Sequence, residues 1–168
     1  VTEFPSGQEV FDWTIPKEFK VNEAWVEGPD GTRVLDFDIH PYCVWIYSQS
    51  FSGEMDLDEL KEKIATDPNL PHAYPMRQTY YREAWGLSAP YDLVEELKPG
   101  RYKVHIDTDL YDGVLRIGEA YLPGEVEEEI LINSYLCHPR GANDNLSGVV
   151  AAVEIFRMLA EMPDRHYS

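Results

Sequence analysis

The chain has 168 residues, 43% of them hydrophobic and 12% aromatic, which suits a globular protein of one domain or one and a fraction. Its 31 acidic against 14 basic side chains give a formal net charge of -17, which repels phosphate backbones and anionic lipid, so neither nucleic acid nor membrane is expected as a partner. Two cysteines, Cys43 and Cys137, lie far apart without CxxC spacing, which argues against a disulfide framework and against a thiolate zinc knuckle.

In chain order, "AWVEGPDGTRVLDF" holds two short runs around Pro29-Asp30-Gly31 and predicts a hairpin. "YCVWIY" is a short apolar run that predicts a buried strand. "EMDLDELKEKI" switches to helix, with Asp56 as cap, Glu59 three residues on, and Leu57, Leu60 and Ile64 on one face. "DPNLPHAYP" is irregular by its prolines, and "YDLVEELKPG" is a short helix closed by Pro99-Gly100.

Further on, "RYKVHID" and "GVLRIGEAYLP" alternate as strands and are expected to form a second hairpin through "TDLYDG". "GEVEEE" is a solvated acidic turn, and "ILINSYL" is a continuous apolar run that predicts a buried strand. A helix is expected from about Asn145, with Leu146, Val149, Val150, Val153, Phe156 and Leu159 on one side. So apolar a strand-helix pair expects further strands beside it, and the chain reads as a piece of something longer. No run of about 18 apolar residues spans a membrane, no leader pattern opens the chain, and the compartment reads as cytoplasmic.

Several motifs have dull explanations that suffice. The acids of Asp107 to Gly113 resemble a calcium loop, but Tyr111 takes an acid's place and the glycine comes late, so a hairpin turn accounts for them better. His105 and Asp107 share a strand face, as metal ligands do, yet no further ligand lies near them in sequence. His40 and His72 sit in loop-like stretches and read as surface histidines. Cys137 and His138, adjacent on a strand, point to opposite faces and make no nucleophile-base pair. The chain has no GxSxG, no Walker-type loop and no GxGxxG.

The stretch "SYLCHPRGANDNLSG" carries more. In open α/β sheets functional groups gather beyond the carboxyl ends of strands. An imidazole there, His138, followed six residues later by the carboxylate of Asp144 at a helix start, can converge on one cation. A carboxylate can also bridge a pair of metal ions and polarise a shared water. Gly141 permits a tight path between the two ligands, and Gly148 permits close packing of the helix. Asp144 or Asn145 would equally suit a helix cap, with His138 merely ending a strand. These two ligands fall short of a zinc site, so the others must come from outside the chain.

"GANDNLSGVVAAVEI" resembles the corresponding loop and helix of the di-zinc aminopeptidase superfamily, which includes glutaminyl cyclases and the transferrin receptor ectodomain. The resemblance places Asp144 on the metal-bridging aspartate and His138 on a histidine ligand of one zinc. His138-Pro139-Arg140 departs from the family's usual His-x-Asp, and Asn143 replaces an acid. "PSGQEVFDWTIPKEF", "TYYREAWGL", "GEAYLPGE" and "YLCHPRGANDNLSG" together resemble a subgroup found near polysaccharide-biosynthesis genes, in which a β-rich domain of unknown function is inserted into the peptidase fold.

The resemblance implies an α+β chain in three parts. Residues 1–9 are the edge of a peptidase-like domain, 10–122 an inserted β-rich domain of hairpins with two short helices, and 123–168 a truncated strand-loop-helix of the aminopeptidase sheet. It implies a fragment of a zinc-dependent hydrolase that acts on peptide or amide bonds through a pair of zinc ions, the general base and remaining ligands lying outside this chain. The fragment alone is then inactive. The alternatives are a non-catalytic binding or assembly module, with the tryptophans and tyrosines of the inserted part as contact residues, or a pseudo-peptidase with the shape and not the chemistry. Oligomeric state is not legible.

Overall fold

The structure, a computed structural model, describes residues 1–137 and 141–168. It has the expected α+β character and falls into two compact units, Glu3–Arg116 and Val1–Thr2 with Ile117–Ser168.

The larger unit is built on a four-stranded antiparallel sheet of β4 (Glu18–Glu27), β5 (Arg33–Asp36), β6 (Phe51–Asp56) and β9 (Arg101–Tyr111), in the order β5-β4-β9-β6. The expected hairpin joins β4 to β5, with Gly28 N–H donating to Thr32 O and Gly31 at φ 79°, a left-handed conformation that glycine adopts without steric cost. Along the central strands alternate residues point into the core: Ala24 and Val26 on β4, Tyr102, Val104 and Ile106 on β9. Helix α1 (Leu57–Lys63) places Leu60 in the same core. Its start is a capping box as the sequence predicts: Glu59 N–H donates to Asp56 Oδ1 at 3.0 Å, and Asp56 N–H donates to Glu59 Oε2 at 3.2 Å. Helix α2 (Tyr91–Glu95) adds Val94, and residues 66–86 between the two helices are largely irregular, as their prolines require.

Short ribbons complete the unit: β1 (Thr2–Pro5) with β10 (Val114–Ile117), β2 (Glu9–Val10) with β3 (Trp13–Thr14), and β7 (Ile64–Ala65) with β8 (Leu87–Ser88).

Two expectations fail here, each for a reason of pairing. "YCVWIY" is not a strand. Pro41–Cys43 form a 3₁₀ turn, and Val44 and Ile46 each make a single bridge, to Leu87 and Gln78, so the run is buried in part without joining a ladder. The second hairpin is also absent. Thr108 to Tyr111 remain strand because β4 reaches back to Glu18 and gives each of them a partner, Val21, Lys20, Phe19 and Glu18 in turn. Strand β10 then pairs with β1 instead of β9.

Among the described residues of the smaller unit the one long helix is α3 (Ser147–Ala160), preceded by a π-type turn over Ala142–Leu146. The chain end folds back along residues 124–130: Glu125 N–H donates to Arg165 O, Ser168 N–H to Glu128 O, and Ile130 N–H to Ser168 O. The Arg165 guanidinium ties this return to Pro123 O, Leu159 O and Met162 O. "ILINSYL" is not the expected strand. A strand is a pairing, and among the described residues no segment forms a ladder with it. Ile130, Leu131 and Leu136 are exposed, as are Val150 and Val153 on α3.

Candidate functional site

Asp144 stands in the turn before α3 with its side chain exposed. Its Oδ1 accepts a hydrogen bond from the hydroxyl of Tyr135, and that bond to a carboxylate, with some burial, holds the Tyr135 phenol above its ordinary pKa. No described residue donates to the other carboxylate oxygen. The next residue is pinned more firmly. Asn145 Nδ2 donates to Ser134 Oγ at 2.7 Å and to Tyr135 O at 3.2 Å, which ties the turn to residues 134–135. The Asp144–Asn145 peptide is cis.

Both glycines that flank the turn sit where neighbouring atoms approach closely. A Cβ on Gly148 would lie 2.3 Å from Asn145 Oδ1 and 2.9 Å from Ser134 Oγ, and one on Gly141 would lie 2.1 Å from Asp144 O. The sequence anticipated both roles, a tight path at Gly141 and close packing at Gly148.

The capping alternative does not hold in the structure. No side chain makes a capping hydrogen bond to α3; Asp144 accepts from Tyr135, and Asn145 donates to Ser134. His138, the other expected ligand, lies outside the described residues. Among the described residues no three of His, Cys, Asp and Glu gather as a metal site. The carboxylate has the donor chemistry that zinc accepts, but a lone carboxylate is short of the three or more protein ligands such a site needs.

Elsewhere the structure sorts the remaining candidates. His105 is not set beside Asp107 for a metal: its Nδ1 is 2.8 Å from Ser52 Oγ, its Nε2 is 3.7 Å from Glu23, and its ring lies against Trp25. The Asp107–Tyr111 acids are strand residues. His72 is a surface histidine, 2.9 Å from Asp92. His40 differs from its expectation: it is half-buried and stacks flat on Tyr74 with centroids 3.7 Å apart. Cys43 is buried and Cys137 exposed, both as free thiols. Sequence reasoning missed Tyr135 and Ser134, the residues that orient the turn. Their only signal was their place in the segment leading into it.

Comparison with known proteins bears out the aminopeptidase-like resemblance. A Clostridium acetobutylicum relative, named as a candidate polysaccharide biosynthesis protein with an aminopeptidase-like domain, is 41% identical over 166 residues, covering 99% of this chain and 38% of the relative. A crystal structure of a candidate peptidase from Clostridium acetobutylicum matches 98% of this chain with a TM-score of 0.89 and 41% identity, and the match covers 39% of that protein. The chain thus spans less than two fifths of the length of each. No described helix is long and apolar enough to cross a membrane. Since its residues 1–168 match the model of the domain of unknown function DUF4910, the chain belongs to that family.

Proposed function

We propose that this chain supplies one ligand-bearing loop of a zinc-dependent aminopeptidase-like hydrolase, with Asp144 as the bridging carboxylate and His138 as a ligand of one zinc. The observation that carries the proposal is the posture of Asp144: exposed, uncapping, one oxygen held by Tyr135 and the other without a described donor. A carboxylate used only to start a helix would face the helix amides. The peptidase-like kinship of the relatives supports the same reading.

In this reading Tyr135 sets the carboxylate's orientation, and Asn145 fixes the turn against residues 134–135, so that the ligand is held by neighbours that are themselves tied down. Zinc ions bound there would supply Lewis acidity toward a water and the amide carbonyl of a peptide substrate. The exposed apolar residues of α3 and of the segment 130–136 are the face on which the rest of a peptidase-like sheet packs in the longer parent.

The test is the zinc content of the full-length parent, purified without chelator, beside its Asp144→Ala variant. About two zinc ions per chain are expected, with loss in the variant. A parent that holds no zinc, and takes up none when it is added, sinks the hydrolase reading. The second reading, a binding or assembly module that includes the pseudo-peptidase case, would then stand. It is favoured independently by the exposed rings of Phe11 and Tyr81 in the larger unit.

A further inference from the structure

A line of aromatic rings runs over the surface of the unit Glu3–Arg116. Phe19 stacks on Tyr47 with centroids 5.6 Å apart, Tyr47 meets Tyr80 edge-on at 5.2 Å, and Tyr80 meets Tyr81 edge-on at 4.5 Å. Trp13 joins them from the β2–β3 ribbon, its indole N–H donating to Tyr80 Oη at 2.9 Å. These rings are not core: Tyr81 is 87% exposed, and Trp13 lies at the surface too. Tyr47 holds a left-handed backbone, φ 65°, which a bulky residue adopts only where its surroundings enforce it. Its hydroxyl donates to Lys17 O at 2.9 Å, and the backbone on either side is bonded to Thr79.

Beside the rings lies an open cleft of about 270 Å³, lined by Tyr47, Gln49, Tyr80, Tyr81, Arg82 and Glu83 among others. Among the described residues, the side chains of Gln49, Arg82 and Glu83 make no hydrogen bond or ion pair. An amide, a guanidinium and a carboxylate, all planar and all without partners, thus border an aromatic surface whose rings are locked to one another.

We propose that this cleft binds a neutral saccharide. A pyranose ring offers a face of C–H bonds and a rim of hydroxyls. The open face of Tyr81 suits the first, and groups that both donate (Arg82, Gln49) and accept (Glu83, Gln49) suit the second. With a net charge of -17 the protein disfavours an acidic sugar, and Glu83 at the rim adds to that. A proline-rich peptide would instead need grooves between rings, and the rings that line the cleft, Tyr47, Tyr80 and Tyr81, meet one another edge-on. The cleft is smaller than the pockets of about 300 Å³ and above that enclose drug-sized ligands, so it takes a short glycan end. None of these residues belongs to the zinc reading, and the two proposals stand or fall separately.

The test is saturation-transfer NMR on the whole chain with maltotetraose, cellotetraose, xylotetraose and chitotetraose as probes, then calorimetry on any that bind. At least one probe is expected to receive transfer at its C–H protons. Tyr81→Ala, at an exposed position where the fold survives, should weaken that binding about tenfold or more. Gln49→Ala should weaken it less, and Tyr121→Ala, at an exposed tyrosine of the other unit, should leave it unchanged. Circular dichroism of each variant reports the fold. The proposal is overturned by silence from all the probes, by transfer that survives Tyr81→Ala, or by a proline-rich decapeptide occupying the cleft where the sugars do not.

Discussion

The hydroxyl of Tyr135 donates to Oδ1 of Asp144, so the carboxylate in the turn before α3 is oriented by a side chain nine residues upstream. If Asp144 is a ligand, Tyr135→Phe leaves the carboxylate in place but unguided. Zinc affinity of the full-length parent should then fall about tenfold, the size usual for losing a partner of a metal ligand. Competition with a chromophoric chelator reads this directly. An unchanged affinity would detach Tyr135 from the site.

Gly148→Ala sets two effects against each other. Alanine in a helix is favoured over glycine by about 1 kcal/mol. Against that, its Cβ would press on Asn145 Oδ1 and Ser134 Oγ and drive the turn away from residues 134–135. The contact should win locally: limited proteolysis between Ser134 and Leu146 is expected to speed up in the variant. Slower cleavage would mean that helix propensity decides and the Asn145 tie is dispensable.

The two thiols should react very differently in the native protein. Burial, with a smaller contribution from the charge of Asp36, pushes the Cys43 thiol up to about 12, whereas Cys137 is exposed. Iodoacetamide at mildly alkaline pH should therefore label Cys137 within minutes and Cys43 only after denaturant is added. Peptide mass mapping distinguishes the two, and rapid native labelling of Cys43 would contradict its burial.

Three carboxylates of the larger unit are expected to make its stability acid-sensitive. Glu18 is held below the ordinary glutamate value first by the backbone N–H of Val114, Asp30 below the aspartate value by the backbone N–H of Thr32, and Asp36 by Arg33. Each folded-state pKa is depressed, so the stabilisation is present above the unfolded value and is lost as pH falls through the folded one. Urea midpoints should drop from about pH 5 downward, and Glu18→Gln should flatten part of that slope. A midpoint independent of pH in that range would mean that these bonds add nothing to the folded state.

Two substitutions around α1 separate packing from capping. Leu60 is fully buried, and Leu60→Ala should cost about 2–5 kcal/mol by transfer and cavity effects together. Asp56→Ala removes one half of the capping box and should cost about 1 kcal/mol. Denaturant melts give both values, and Leu60→Ala should be the more damaging of the two.

What could be read in the sequence was local. The capping box at Asp56 and Glu59, the Pro29-Asp30-Gly31 turn and the helix after Asn145 each depend on residues within one or two turns of each other, and each is present. What escaped depended on distant partners. Thr108 to Tyr111 look like a turn until β4 is seen to extend to Glu18, and the apolar residues 130–136 look like a strand until it is seen that no described segment forms a ladder with them. The site divides the same way. Asp144 and both flanking glycines are legible in the motif, whereas Tyr135 acquires its role only by folding back onto the turn. The line of rings beside the cleft joins Trp13, Tyr47 and Tyr80 across gaps that no periodicity spans.

The larger unit closes on itself where it begins and ends. Strand β1 lies beside β10, Arg116 Nε is 2.8 Å from Glu3 Oε1, and Ser6 N–H donates to Gly113 O. The polypeptide therefore enters and leaves this unit through doorways one strand spacing apart, about 5 Å. A host fold meets such a unit as a detour that starts and finishes at nearly the same point, so it can be grafted into a surface turn, excised and replaced by a brief glycine-serine bridge, or circularly permuted. Ends this close together would let a surrounding backbone keep its path whether the unit were present or replaced.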